Sequence, residues 1–244
     1  MLIKVCGMRE PENIHAVEQL GVDMIGFIFW PQSPRYVSQI RSRAGIIPDY
    51  TSLKEERPDA MTAAGGRQLV ARVGVFVDDM PQNIVTRVYN YDLQYVQLHG
   101  NESAVMIDNL RRTLDPDIRF GIRIIKALSI ASPADMQRYK EYEGHVDMFL
   151  FDTKCQCVGG SGEQFDWSVL NDYDGHTPFL LSGGIGPNDA ARVKAFRHPR
   201  FAGIDLNSRF ETAPAVKDVE ALRRFVAEVR KNATTTQNKR RKYE

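Results

Sequence analysis

Cys6, His99, Asp152, Asp205 and Arg35 are the side chains of this sequence whose positions suggest chemistry. Cys6 closes the apolar run Leu2-Ile3-Lys4-Val5 and is followed by Gly7. A thiolate at such a strand end can take a proton from carbon if nearby positive charge lowers its pKa from the ~8.5 of a free thiol. The alternative is an inert buried filler. Asp152 closes Met148-Phe149-Leu150-Phe151. A carboxyl group in apolar surroundings keeps its proton and can act as a general acid. The competing reading pairs it in a salt bridge with Lys154 or Lys126. Asp205, inside Gly203-Ile204-Asp205-Leu206, presents the same ambiguity. His99, after Tyr95-Val96-Gln97-Leu98, is a base, a group facing the substrate, or a histidine packed beneath a loop. Arg35 offers two-pronged donor geometry for a planar carboxylate, against the default of an exposed loop arginine. Gly183-Gly184 after Phe179-Leu180-Leu181, and Asn207-Ser208-Arg209 after the next apolar run, suit a phosphate. Glycine admits backbone N–H groups close to the anion, and a helix N-terminus adds favourable partial charge. A plain tight turn is the other reading of the glycine pair.

These groups need a frame that gathers strand ends at one place. Eight apolar runs read as strands, each followed by a helix-length segment: Leu2–Cys6, Met24–Phe29, Val73–Val77, Tyr95–Leu98, Phe120–Ala127, Met148–Asp152, Phe179–Leu181 and Gly203–Leu206. Helices are expected from Glu10-Pro11 to Gly21, Pro81–Tyr89, Ser103–Leu114, Pro133–Tyr142, Trp167–Leu170, Pro187–Phe196 and Val216–Lys231. Strict alternation implies a parallel sheet with right-handed crossovers. Eight units close it into an α/β single-domain (β/α)8 TIM barrel, whose reactive groups sit at the C-terminal strand ends and whose phosphate site lies in the last two loops. An open doubly wound sheet is the structural rival, but no Gly-x-Gly-x-x-Gly follows the first strand. Between Ser38 and Arg72 the chain is longer than a βα unit needs, and Pro48, Pro58 and Gly65-Gly66 mark an exposed insertion with a helix in it.

Length agrees with this frame: 244 residues against the ~250 of a typical barrel. A hydrophobic fraction of 43% with 26% charged residues is that of an ordinary soluble globular protein. A net charge of +1 gives no reason to invoke nucleic acid or a membrane surface. No apolar run approaches the ~20 residues of a membrane span. The first strand starts at once after Met1, leaving no room for a signal peptide. Cys6, Cys155 and Cys157 are odd in number, and the close pair fits neither a disulfide framework nor zinc spacing. A cytoplasmic protein with reduced thiols and no metal is expected. The barrel domain is expected over residues 1–231, and the polar, basic stretch 232–244 reads as a frayed tail.

Taken together, a series of segments resembles the phosphoribosylanthranilate isomerases of tryptophan biosynthesis. It comprises Lys4-Val5-Cys6-Gly7-Met8, Gly26-Phe27-Ile28-Phe29 with Ser33-Pro34-Arg35-Tyr36-Val37, and Val73-Gly74-Val75-Phe76-Val77. Val96-Gln97-Leu98-His99-Gly100, Leu150-Phe151-Asp152-Thr153-Lys154, Gly159-Gly160-Ser161-Gly162 and Phe165-Asp166-Trp167 follow in order. Leu181-Ser182-Gly183-Gly184-Ile185 and Gly203-Ile204-Asp205-Leu206-Asn207-Ser208 close it. The resemblance implies an Amadori rearrangement of a phosphosugar, with Cys6 as general base and Asp152 as general acid, and without cofactor or metal. It implies Arg35 at the substrate carboxylate, Gly183, Gly184, Asn207 and Ser208 at the phosphate, and Asp205 orienting sugar hydroxyls. The expected partner is therefore a small phosphosugar, bound by a monomer or a homodimer. Arg209-Phe210-Glu211 departs from the Gly-Val-Glu expected there. Bulk at the glycine position would alter the phosphate loop, or the arginine would add a contact to it. The related histidine-pathway isomerase has aspartate where this chain has Cys6. A non-catalytic phosphometabolite-binding barrel would not need Cys6, Asp152 and Arg35 together. Read as one half of a fused enzyme, the chain would be less complete than its start at Met1 and polar tail suggest.

Overall fold

The computed structural model describes residues 1–38, 69–153 and 167–231. Lys154, Cys155, Cys157, the Gly159–Gly162 run, most of the Ser38–Arg72 insertion and the tail lie outside these residues. Eight parallel strands, β1 (Leu2–Cys6), β2 (Met24–Ile28), β3 (Ala71–Phe76), β4 (Tyr95–Leu98), β5 (Arg123–Ile130), β6 (Met148–Thr153), β7 (Phe179–Ser182) and β8 (Phe201–Leu206), close into a barrel in sequence order. β1 pairs with β8 through Lys4 and Asp205, which closes the ring. Around it lie α1 (Pro11–Glu18), α2 (Pro81–Tyr91), α3 (Ala104–Leu114), α4 (Pro133–Met136), α5 (Ala190–Ala195) and α6 (Val219–Arg230).

Alternation along the strands separates two cores. Outward side chains such as Ile3, Val5, Phe149, Phe151 and Ile204 pack against the helices. Inward ones, Met24, Val73, Tyr95, Ile125, Ala127, Met148, Leu150 and Leu180, fill the lower lumen. The lumen is thus plugged by apolar side chains, with the Arg123–Tyr95 hydroxyl bond at the strand starts and the cavity-lining polar groups at the C-terminal end. Phe27 and Phe29 belong to the outer layer, where both rings meet Tyr91 of α2.

Several expected boundaries shift for physical reasons. β5 begins three residues after Phe120, which is 84% exposed. Gly121, at φ +68°, turns the chain into the strand. Both faces of a barrel strand are buried, so alternation marks its ends weakly. The helix expected over Pro133–Tyr142 is one α-helical turn continued as a 3₁₀ turn from Gln137 to Glu141. Asp189 accepts a bond from the Gly186 N–H at 2.7 Å, and this turn delays α5 to Ala190. The last helix starts at Val219, where Asp218 caps it by accepting from the Ala221 N–H at 2.9 Å. Val216 and Lys217, expected inside that helix, instead form β10 (Val216–Lys217), which pairs antiparallel with β9 (Glu211–Ala213). Ala215 turns this hairpin at φ +68°.

Candidate active site

A cavity of about 270 Å³ opens at the C-terminal end of the lumen. Cys6, His99, Asp152, Gly183, Gly184, Asp205, Asn207 and Ser208 all line it. Arg35 is not among the lining residues; its stem lies beside Gly7, on the same side as Asn207. The structure therefore brings eight of the nine expected residues together from five strands, β1, β4, β6, β7 and β8, and the loops after them, with Arg35 of the loop after β2 outside the lining.

Cys6 is the inward residue at the end of β1 and is 4% exposed. Gly26 on the paired strand makes room for it, since a Cβ there would lie 2.8 Å from the Cys6 sulfur. Lys4, two residues earlier on the same face, is fully buried and donates from Nζ to Asp205 Oδ1 at 2.8 Å. Ser182 donates to the other carboxylate oxygen of Asp205 at 3.3 Å. Burial pushes the Cys6 thiol above its ordinary pKa, Lys4 and Lys217 pull it down, and Asp205 pushes it up, with a net upward result. Burial alone would lower Lys4, but Asp205 and Cys6 hold it protonated and above its ordinary value.

Asp152 also faces the lumen, opposite Ser182 on β7. The strand below it is apolar, yet its carboxylate lies 3.7 Å from His99 Nε2. Lys126 is not its partner. That side chain faces the helix layer, where Nζ donates to Glu102 at 2.8 Å and to the Gly100 carbonyl at 2.7 Å. His99 Nδ1 stands 3.4 Å from Gln97 Nε2, so His99 is a cavity-lining group and not one sealed beneath a loop.

Arg35 is carried by a loop that folds back along β2: the Val37 N–H donates to the Ile28 carbonyl at 2.8 Å. Its guanidinium is committed on one side. Nε and Nη2 donate to the Glu211 carboxylate at 2.8 and 2.6 Å. Lys217 donates to Glu211 at 2.6 Å and to Asn207 Oδ1 at 2.8 Å. A Cβ on Gly7 would fall 2.7 Å from Arg35 Cδ and 2.8 Å from Asn207 Oδ1, so this cluster closes around the turn after Cys6.

Gly183 has φ +104°, and a Cβ there would lie 2.0 Å from the Thr153 carbonyl oxygen; both conditions demand glycine. Gly184 is also left-handed, at φ +67°. Ser208–Phe210 forms a 3₁₀ turn in which Phe210 is buried against Phe225 of α6 while Arg209 is exposed. Arg209 lines the cavity, and its stem passes 3.7 Å from the position a Cβ on Gly186 would take.

The model for N-(5'-phosphoribosyl)anthranilate (PRA) isomerase matches residues 3–228. The chain belongs to that family. An N-(5'-phosphoribosyl)anthranilate isomerase from Parabacteroides distasonis is 45% identical over 237 residues, 97% of this chain and 96% of the relative. A solved phosphoribosyl anthranilate isomerase, in complex with the reduced 1-(o-carboxyphenylamino)-1-deoxyribulose 5-phosphate, superposes with a TM-score of 0.71 at 27% identity, over 94% of this chain and 98% of that one. Monomers made from the dimeric Thermotoga maritima isomerase superpose with a TM-score of 0.69 at 26% identity, over 95% of this chain and 99% of theirs. No described helix is long and apolar enough to cross a membrane.

Sequence reasoning missed Lys4, Gln97, Ser182, Glu211 and Lys217 as members of the site. Lys4 was available: the alternation that points Cys6 inward points Lys4 inward too. Glu211 was available too, as the matching glutamate of the Gly-Val-Glu expected after Ser208, whereas Lys217 carries no such signal, because it reaches the site only through the hairpin.

Proposed function

We propose that this chain catalyses the Amadori rearrangement of N-(5-phosphoribosyl)anthranilate to 1-(2-carboxyphenylamino)-1-deoxyribulose 5-phosphate in tryptophan biosynthesis, as a cytoplasmic monomer or homodimer. The observation that carries this reading is the convergence of Cys6 and Asp152 on one cavity that is also lined by a two-glycine turn, in a chain of this isomerase family. Asp152 protonates the furanose ring oxygen, and the C1–O bond breaks to give an iminium. Cys6, as thiolate, takes the proton from C2, and the electron pair moves into a C1–C2 double bond. The enolamine then gains a proton at C1 and loses its C2 hydroxyl proton, which leaves the ketone. The two protons given up by C2 and its hydroxyl balance those taken up by the ring oxygen and C1, so the reaction has no net redox change.

The anionic ends of the substrate match the two sides of the cavity. The backbone N–H groups after β7, together with Asn207 and Ser208 after β8, receive the phosphate. Arg35 receives the anthranilate carboxylate. Asp205, held by Lys4 and Ser182, faces the sugar hydroxyls as an acceptor. His99 lies beside Asp152 and contacts the substrate there.

The test is a coupled assay in which the unstable substrate forms in situ from anthranilate and phosphoribosyl pyrophosphate, and loss of its fluorescence is followed. Fluorescence loss that depends on the protein, and on both Cys6 and Asp152, is expected. No acceleration over the spontaneous decay would refute the assignment.

A further inference from the structure

Glu211 and Lys217 lie on the β9–β10 hairpin between the last barrel strand and the last helix. Both side chains are nearly sealed from solvent, at 6% and 0% exposure, although neither belongs to the apolar cores. Their contacts run to Arg35 on one side and to the cavity-lining Asn207 on the other. Glu211 Oε2 accepts from Arg35 Nη2 at 2.6 Å, Glu211 Oε1 accepts from Lys217 at 2.6 Å, and Lys217 continues to Asn207 at 2.8 Å. The main chain at Lys217 is fixed as well, since its N–H donates to Asn13 Oδ1 of α1 at 2.8 Å.

We propose that Glu211 and Lys217 are positioning residues: the hairpin holds Arg35 with its outer edge free for the substrate carboxylate and couples that anchor to the Asn207 side of the phosphate site. This rests on the assignment of Arg35 to the carboxylate. A guanidinium has five N–H donors in a planar fork. Glu211 occupies the edge formed by Nε and Nη2. Among the described residues nothing bonds to Nη1, so the edge formed by Nη1 and Nη2 remains for a second carboxylate. A single carboxylate on Arg35 would cancel its charge. Lys217 restores it, because two cations around Glu211 leave the cluster net positive for an anionic ligand. A free arginine in a loop would also lose rotamer freedom on binding, and a clamped one has already lost it. Hydrogen bonds from Arg35 and Lys217 outweigh burial and keep the Glu211 carboxyl below its ordinary range, so it is charged at neutral pH.

The experiment compares binding of the reduced product analogue with a counterpart lacking the ring carboxylate, in wild type, Arg35→Ala, Glu211→Gln and Glu211→Asp. Wild type is expected to prefer the carboxylate-bearing analogue by tenfold or more. Glu211→Gln should lose most of that preference and raise KM far more than it lowers kcat. Glu211→Asp, which keeps the charge, should recover part of the preference. Loss of preference in Arg35→Ala but full preference in Glu211→Gln would overturn the positioning role and leave the Arg35 assignment intact. Full preference in Arg35→Ala would refute the Arg35 assignment itself, and this inference with it. If Glu211→Gln does not fold, Lys217→Gln decides the matter. A loss of affinity confined to the carboxylate-bearing analogue supports the proposal, and an equal loss for both analogues overturns it.

Discussion

Removing the Lys4 ammonium should slow the reaction through the thiol rather than through binding. Lys4 is fully buried, and its only described acidic partner is Asp205 at 2.8 Å. Lys4→Met therefore deletes a cation from beside Cys6 and leaves Asp205, 7% exposed, without its counter-charge. An opposite charge at close range favours an ionised group by about one to three pH units. The Cys6 thiol, already raised by burial, moves further up in the variant. If the thiolate is the base, kcat/KM climbs as pH rises through that titration. The rising limb should then shift alkaline-ward by about one to three pH units, which at fixed pH below it is roughly a 10- to 1000-fold loss. The fold should suffer as well. Breaking a buried pair by removing one partner costs about 3–5 kcal/mol, and each kcal/mol lowers Tm by about 2–4 °C for a chain of this size. The double change Lys4→Met with Asp205→Leu removes the stranded charge and should recover much of the Tm but none of the rate. The assays are a pH profile of kcat/KM in the coupled system and thermal melts of the three proteins. A Lys4→Met enzyme with a wild-type rising limb would refute the electrostatic argument, whatever its Tm.

Other substitutions test the remaining parts. Cys6→Ser should lower kcat by about 100- to 10,000-fold, since a hydroxyl is a far weaker base, with little change in binding of the product analogue; near-normal kcat would return the base role to His99. Asp152→Asn keeps the shape but cannot deliver a proton, so ring opening should stop while the analogue still binds, and normal turnover would move the acid to Asp205. Gly183→Ala puts a Cβ 2.0 Å from the Thr153 carbonyl oxygen at φ +104°; a lower Tm, from a stability loss of at least the roughly 1–3 kcal/mol of a strained backbone, and weaker inhibition by inorganic phosphate are expected, and a wild-type melt would show that the turn relaxes. Arg209→Gly should weaken phosphate inhibition severalfold, and more at low salt than at high; an unchanged inhibition constant would make Arg209 a bystander.

The barrel is legible because its strands are short apolar runs closed by glycine, proline or a polar residue. β1 and β4 begin and end where their sequences indicate. β5 is displaced because a strand buried on both faces offers no alternation to mark Arg123 as its start. The β9–β10 hairpin is illegible for a different reason: Ala215 makes its turn without the Asn-Gly or Asp-Gly signal that announces such turns. Cys6 and Asp152 stand out because a polar side chain ends an otherwise apolar strand. Lys126, read from the sequence as near the end of its strand, lies in the middle of β5, and strand parity turns it outward to Glu102, away from the cavity. Residue type at a strand end thus nominates a group, and parity decides which side of the barrel it serves.

The charges around Cys6 follow from where it lies. A thiolate cannot be held in an apolar lumen without buried positive charge, because burial disfavours the ionised form. A buried ammonium is itself costly unless a carboxylate accompanies it. Lys4 therefore comes with Asp205, and Lys217 comes with Glu211. Each counter-ion weakens the help its cation gives the thiol, and the balance leaves the thiol raised. The geometry reduces that conflict by giving the carboxylates other cationic or polar neighbours: Glu211 spends its second oxygen on Arg35, and Asp205 accepts from Ser182. Lys217 is pulled below its ordinary pKa by burial despite Glu211. Lys4, by contrast, is held above its ordinary value by Asp205 and Cys6, so the two lysines beside the thiol shift in opposite directions, and replacing either carboxylate should disturb the thiol through its lysine as well as by removing a direct repulsion.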